Sequence, residues 1–448
     1  MKKTLTIKID HLTKNGVGVT RIEKKPLYIP NVIEDEEILA TVQFEGKRNI
    51  FATVKKVLNP SKDRTNPKCD VYYQCGGCHL SIMNYKKQLE FKKNIVEKLY
   101  KAKGFDVTIH DCVGMKHPYN YRNKVQTPVG KINNRLVAGF YKENTHEIVP
   151  FNFCHVQDDI SNQIIESVLK AMKDNKIEPY DEDLRKGIVR HLLVRRANEQ
   201  SMLTIITSQD SFPGRNNFVK SIIKYLPHLT TIVQNINPRA TNVILGEKEK
   251  VLYGKGYIVD NLCGINFKIS SKSFYQINKI QTEKLYSKAI ELASLKPTDI
   301  ILDAYCGIGT IGLIAAHKVK HVIGVEIVKE AIVDAKNNAL NNNIKNCDFY
   351  CDDAKEFIKN VDFTFDVVFV DPPRKGCDQS FLKSLITHKP KKIVYISCNP
   401  ETQVENVKFL CDNGYEFSDV YPFDMFPQTS HVETIVALSL KNSLSFLN

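Results

Sequence analysis

Two residues stand where they could carry covalent and acid–base chemistry. Cys398 closes the apolar run "KKIVYISCNP", and Glu433 opens the run "HVETIVALSL". A thiol ending a β-branched strand is either core filling or a nucleophile held at the rim of a sheet. A carboxylate starting an otherwise apolar strand is either an edge charge facing water or a partly desolvated base with a raised pKa. Together they suit a reaction on one ring: sulfur adds to a carbon, and the carboxylate removes a proton from the neighbouring one.

Further chemistry-bearing residues fall into two groups. "DAYCGIGT", residues 303–310, resembles the first motif of class I S-adenosylmethionine-dependent methyltransferases. Its Gly307 and Gly309 would let the backbone approach a ligand that side chains would block. Glu326, ending the next apolar run, is placed to accept hydrogen bonds from ribose hydroxyls, as it would equally be in a dinucleotide-binding fold. Asp352 and Asp353 suit an adenine amino group or a solvated turn. "DPPRKG", residues 371–376, is either a stiff rim presenting a carboxylate and a carbonyl to a planar target or a plain proline-rich loop. The second group is Cys69, Cys75 and Cys78 in a C-x5-C-x2-C arrangement, with Cys154 far downstream. Three clustered thiols plus one remote suit an iron–sulfur cube better than zinc, whose knuckles pair C-x2-C with C-x2-C. Free thiols are the third possibility. The other cysteines (112, 263, 306, 347, 351, 377 and 411) read as core or incidental.

The elements that must position these residues are legible in the hydrophobic pattern. The chain has 448 residues, which predicts two to three domains. Residues 1–58 show short alternating runs broken by turns, as in a small β-barrel. Residues 59–270 hold the cysteines and a mixture of strands and helices, an α+β domain. Within it, Leu89, Ile95, Val96 and Leu99 mark a helix ending at Gly104. Residues 271–448 alternate apolar strands with helices, the pattern of an α/β domain whose parallel sheet is covered on both faces. Such sheets bind ligands beyond the carboxyl ends of their strands, where Asp303–Gly309, Glu326, Asp352–Asp353, Asp371 and Cys398 all fall. No run approaches the ~18 apolar residues of a membrane span, and no signal peptide is evident, so the chain reads as cytosolic. A net charge of +13 leans toward a polyanionic partner. "IVRHLLVRRANE" and "HPYNYRNKVQ" are expected to be RNA contacts or solvated faces.

With "DAYCGIGTIG", "DPPRKG", "ISCNP" and "HVETIVAL" in this order, and "SKSFYQIN" before them, the sequence resembles the RNA uracil-5 methyltransferases over essentially its whole length. The resemblance implies a class I, Rossmann-like catalytic domain behind an OB-like TRAM barrel at the N-terminus. It implies Cys398 as nucleophile, Glu433 as base, and Gln276, Tyr305, Glu326 and Asp371 around S-adenosylmethionine, with Phe274 able to stack on the target base. Members that act on 23S ribosomal RNA carry a [4Fe–4S] cluster on this cysteine pattern. The expected substrate is therefore 23S ribosomal RNA and the expected product 5-methyluridine, made by a monomer. A transfer RNA uracil-5 enzyme and an RNA cytosine-5 enzyme are the alternatives, although the latter is expected to place its cysteine in a Thr–Cys setting.

Overall fold

The computed structural model describes residues 3–142, 145–241 and 243–441. Three large sheets organise them. The first is six-stranded, in the order Thr4–Lys8, Glu37–Glu45, Ile50–Asn59, Lys25–Ile29, Gly18–Ile22, His11–Leu12. Its two edge strands are consecutive in the chain, joined through Ile9 and Asp10. The amide of Ile9 donates to the Glu36 carbonyl and that of Asp10 to the Val19 carbonyl. The sheet therefore wraps on itself around Ile9, Leu27, Ile29, Ile38 and Ala40, all fully buried. Period-two alternation puts Ile38 and Ala40 inside while Leu39 and Thr41 are only partly covered.

A seven-stranded central sheet follows, with the helices Asp159–Asp174 and Arg215–Tyr225 packed on it. Its strand Val189–Ala197 is buried at every position. This corrects the expectation that "IVRHLLVRRANE" meets RNA or solvent. Arg190 makes paired bonds to Glu182 at 2.9 and 2.8 Å and donates to the Asn237 and Arg239 carbonyls. Arg195 donates to the carbonyls of Ser271 and Ser273, and Arg196 to Asp158. These guanidiniums staple the central sheet internally, since a buried cation needs carbonyls and carboxylates to replace its water.

The third sheet has nine strands. Along its main path the order is Cys347–Cys351, His321–Glu326, Ile300–Ala304, Val367–Val370, Lys392–Ser397, Glu433–Leu440, Asp419–Phe423, Thr108–Ile109. The first five are parallel, and Glu433–Leu440 runs antiparallel beside Lys392–Ser397. Val367–Val370 is buried at every position, as a strand covered on both faces must be. This is the expected α/β methyltransferase architecture.

Packing crosses the expected limits of 59–270. Thr108–Ile109 pairs in parallel with Asp419–Phe423 at the edge of the third sheet. The hairpin of Ile258–Leu262 and Ile265–Ile269 shares a core with Leu285, Tyr286 and Ile332. The helix Tyr85–Ala102 buries more than its apolar stripe: Val96 is sealed and Leu89 and Ile95 pack on the cores, but Gln88, Phe91, Lys92 and Tyr100 are buried as well. It buries a partly polar face because polar partners from the segment just after Asp419–Phe423 meet it there. The Lys92 ammonium pairs with the Asp424 carboxylate, both side chains fully buried, and donates to the Phe426 carbonyl at 3.1 Å. Among the described residues no helix is long and apolar enough to cross a membrane.

Candidate active site

The "CNP" triplet is a strand-to-helix turn. The strand Lys392–Ser397 ends one residue before Cys398, and the helix Pro400–Asp412 begins two residues after it. Asn399 caps that helix, accepting from the Glu401 amide at 3.2 Å, and Pro400 occupies the first turn, where no N–H is needed. The Asn399 side chain also donates to the Arg374 carbonyl at 2.9 Å, tying the "DPPRKG" loop to the turn. Cys398 is half-buried there rather than sealed in the core.

Antiparallel register sets its neighbour. Ser397 pairs with Thr434, so the next step along brings Cys398 opposite Glu433. Gln403 locks this register from the helix, donating to the carbonyls of Tyr395 and Thr434 and accepting from the hydroxyls of Thr434 and Tyr100. Glu433 is only 4% exposed and does not face water. Burial, reinforced by the Asp371 carboxylate and opposed by Arg374, raises its pKa to about 8. The Cys398 thiol is pushed up to about 11 by burial and then by Glu433 and Asp371, again against Arg374. Burial alone takes Asp371 to about 7. Arg374 thus opposes a crowded set of acids. Its guanidinium lies 3.4 Å from both ring nitrogens of His431. Burial and that cation lower His431 to about 4, so its ring is neutral near pH 7. Gln403 and His431 carry no sequence signal of their own, and Arg374 shows only as part of its loop.

On the far side of Asp371 lies a second acidic wall. Tyr305, Gly307 and Gly309 all have positive φ, at 65°, 55° and 81°. Tyr305 is the strained one, since it carries a side chain. A Cβ on Gly307 would meet nothing within 4 Å, so the backbone there borders open space. Glu326 accepts from the Gly307 amide at 3.2 Å and from the Val328 amide at 2.9 Å. Asp303 accepts from the Gly312 amide at 2.8 Å through one oxygen, while its other oxygen is buried with no partner among the described residues. Burial raises Asp303 to about 7, helped by Asp371 and Glu326. Gln276 and Asp371 both act on the buried Tyr286 hydroxyl, the first lowering its pKa and the second raising it, so the two lie near one hydroxyl. The Tyr305 ring packs edge-on against Phe381 at 5.6 Å. An orphaned buried acceptor, acids on three strand ends and an open glycine turn fit a cationic donor bearing an amino group and a ribose. Asp353 is otherwise engaged, capping the helix Ala354–Asn360 through the Lys355 amide. Asp352 is exposed and Phe274 is 71% exposed.

The four cysteines lie within electrostatic reach of one another, with Cys78 and Cys154 packed in one small cluster. Cys69, Cys75 and Cys154 each raise the pKa of Cys78, to about 12 after burial, its largest cause. The Gly77 amide donates to Cys75 Sγ at 3.4 Å, and the nearby amides of Val71, and of Val156 and Gln157, hold the Cys69 and Cys154 pKa values below what burial alone would give. Such N–H···S bonds favour thiolates, as a thiolate-ligated cluster requires. Among the described residues no three Cys, His, Asp or Glu side chains converge tightly enough for a single metal ion. A four-iron cube is wider than one ion, and four thiols near one another with amide donors fit its donor set.

Comparison with known proteins finds relatives over nearly the whole chain. The family described as tRNA (Uracil-5-)-methyltransferase matches residues 229–441. An RNA methyltransferase of Listeria monocytogenes is 42% identical, covering 98% of each chain. One of Staphylococcus aureus is 44% identical, covering 96% of each. Among solved structures, the Pyrococcus abyssi tRNA (uracil-54, C5)-methyltransferase in complex with S-adenosyl-L-homocysteine is similar at a TM-score of 0.78 and 28% identity, covering 97% of this chain and 100% of that one.

Proposed function

We infer the reaction from one premise: the chain belongs to the RNA uracil-5 methyltransferase family and is an S-adenosylmethionine-dependent RNA methyltransferase. The reaction is methylation of uridine C5 through a covalent adduct, with Cys398 as nucleophile and Glu433 as base. The observation that carries this reading is the register that sets a rim thiol opposite a desolvated carboxylate. Uracil C5 is too weak a nucleophile by itself. The Cys398 sulfur bonds to C6, and the C5–C6 π pair moves into an enolate across C4 and O4, leaving C5 electron-rich. The bound donor supplies an electrophilic methyl to C5. Glu433 then takes the C5 proton, the released pair restores the C5–C6 double bond, and sulfur leaves as thiolate. Gln276, Tyr305, Glu326 and Asp371 hold the donor, and the unpaired Asp303 oxygen supports a positive group beside them.

The wrapped sheet of residues 1–58 serves as a TRAM-like RNA module, residues 59–270 carry the cluster, and residues 271–448 carry catalysis. Cys69, Cys75, Cys78 and Cys154 hold a [4Fe–4S] cluster that orders the chain and takes no part in methyl transfer. Protein purified anaerobically is expected to be brown, with about four irons and four sulfides per chain. Colourless protein with stoichiometric zinc contradicts the assignment.

The substrate that follows from the cysteine set is 23S ribosomal RNA. Transfer RNA is the second reading, favoured by the likeness to an enzyme named for uracil 54 of tRNA. A short target RNA carrying 5-fluorouridine is expected to trap the protein covalently, because C5 then bears fluorine in place of the proton that the base must remove. The same RNA with 5-fluorocytidine is expected not to, and the reverse pattern would identify a cytosine enzyme. Mapping 5-methyluridine in both RNA classes from cells lacking the protein separates the two substrates.

A further inference from the structure

The segment 424–432 enters the active site immediately before Glu433, and it is held in an unusual way. Five consecutive backbone carbonyls each accept from a group elsewhere in the chain. Gln281 donates to that of Asp424 at 2.9 Å, and Asn278 to that of Met425 at 3.0 Å. Lys92 donates to Phe426 at 3.1 Å, and the Tyr121 hydroxyl to Pro427 at 3.0 Å. The carbonyl of Gln428 takes two amides, His79 and Leu80, both at 3.0 Å. Those two residues directly follow Cys78. Tyr121 packs in one small cluster with Met115, Val156, Cys78 and Cys154.

Gln428 is the hub. Its side chain is buried, and its φ of 72° is a left-handed conformation that a residue with a Cβ adopts at a cost. Its amide donates to the Gln88 side chain at 3.1 Å, and its own side-chain oxygen accepts from Gln88 at 3.1 Å. A third bond runs from its side-chain nitrogen to the Pro118 carbonyl at 3.3 Å. Three residues on, His431 meets Arg374, and two further on stands Glu433.

We propose that residues 424–432 form a strap anchored on the cysteine-bearing loop, which makes Gln428, Gln88 and Tyr121 positioning residues for the proton-abstraction step. The inference rests on the proposed role of Glu433. It goes beyond that role in tying the chain that leads into Glu433, whose register beside Cys398 the sheet already sets, to the order of the cysteine loop. All three are buried, so each acts through the strap. Loosening the strap leaves the nucleophile in place, because Cys398 is fixed independently by Asn399, Pro400 and the Lys392–Ser397 strand. Sulfur addition and methyl transfer then continue while elimination slows.

The test uses full-length, iron-loaded protein with Tyr121→Phe, which deletes one hydroxyl and keeps the ring, and Gln88→Leu, which removes both amide bonds to Gln428. Amide hydrogen exchange across 426–432 is expected to be at least about ten-fold faster in Gln88→Leu, with residues 392–397 unchanged. With target RNA both variants are expected to accumulate the covalent methylated adduct, while donor affinity and iron content stay at wild-type levels. Unchanged exchange in 426–432, or adduct formation and turnover falling in parallel, overturns the proposal. Should Glu433→Gln itself accumulate no adduct, the reading of Glu433 falls, and the exchange comparison still decides the strap.

Discussion

Replacing Cys398 by Ala is expected to abolish methylation, with a loss of at least about 10⁴-fold in kcat/KM, the scale that follows loss of a covalent nucleophile. Donor binding is expected to survive, because the groups around the donor cleft lie on other strand ends: Asp303, Glu326 and Asp371 end three separate strands. The substitution removes a half-buried side chain, and the capped turn around it is held by Asn399 and Pro400. Calorimetry with S-adenosylhomocysteine and transfer of tritiated methyl to RNA measure the two properties separately. Turnover near the wild-type rate would remove covalent catalysis altogether. The resting thiol is protonated at neutral pH, with its pKa near 11. Its ionisation must therefore be drawn out when RNA and a cationic donor complete the site.

Glu433→Gln is the second large effect and has a different signature. Overall turnover is expected to fall by about 10² to 10⁴-fold, the usual worth of a general base. Because the nucleophile is untouched, the block comes after methyl transfer, and a protein–RNA adduct that survives denaturing gels should build up. Rapid turnover without adduct would assign proton removal to another group. The wild-type pH profile follows from the same carboxyl. Glu433 has a folded pKa of about 8, so the base form is scarce at pH 6 and dominant above pH 9. Turnover is expected to rise across that interval. Stability moves the other way. An unfolded glutamate ionises near pH 4.3, so between about pH 4 and pH 8 the folded state holds a proton that the unfolded state has lost. Folding then weakens as pH rises through this window. Glu433→Gln should raise the unfolding midpoint by a few degrees above pH 8 and leave it unchanged near pH 4.

The catalytic half was legible because its chemistry sits at strand ends, where a change of pattern is visible. "ISCNP" reads as strand, thiol, cap and helix start, and the structure builds that turn. What pattern reading lost was polar burial. Gln88 meets Gln428 from 340 positions away, and Lys92 meets Asp424 from 332. No local window contains both partners, so each polar residue reads as solvent-facing. Arg190, Arg195 and Arg196 misled for the same reason, since a basic run looks like an RNA surface until its carbonyl and carboxylate partners are known. The stripe of Leu89, Ile95, Val96 and Leu99 marked the helix, with Val96 sealed and Leu89 and Ile95 packed on the cores, but it could not show that Gln88 and Lys92 are buried beside them. The strap before Glu433 was hidden too, because what its anchors hold is mainly main-chain carbonyls, which every sequence possesses.

The two-residue strand Thr108–Ile109 has a bearing on how the protein is made. It emerges from the ribosome roughly three hundred residues before Asp419–Phe423, the strand it must pair with. The wrapped N-terminal sheet can mature at once during synthesis, but the helix Tyr85–Ala102 and this strand must wait for nearly the whole chain. A fragment beginning at residue 271 would leave the Asp419–Phe423 edge bare and inclined to recruit strands from other molecules. Long-distance pairing of this kind makes assembly a late, single event and ties the catalytic half to the first quarter of the chain from birth.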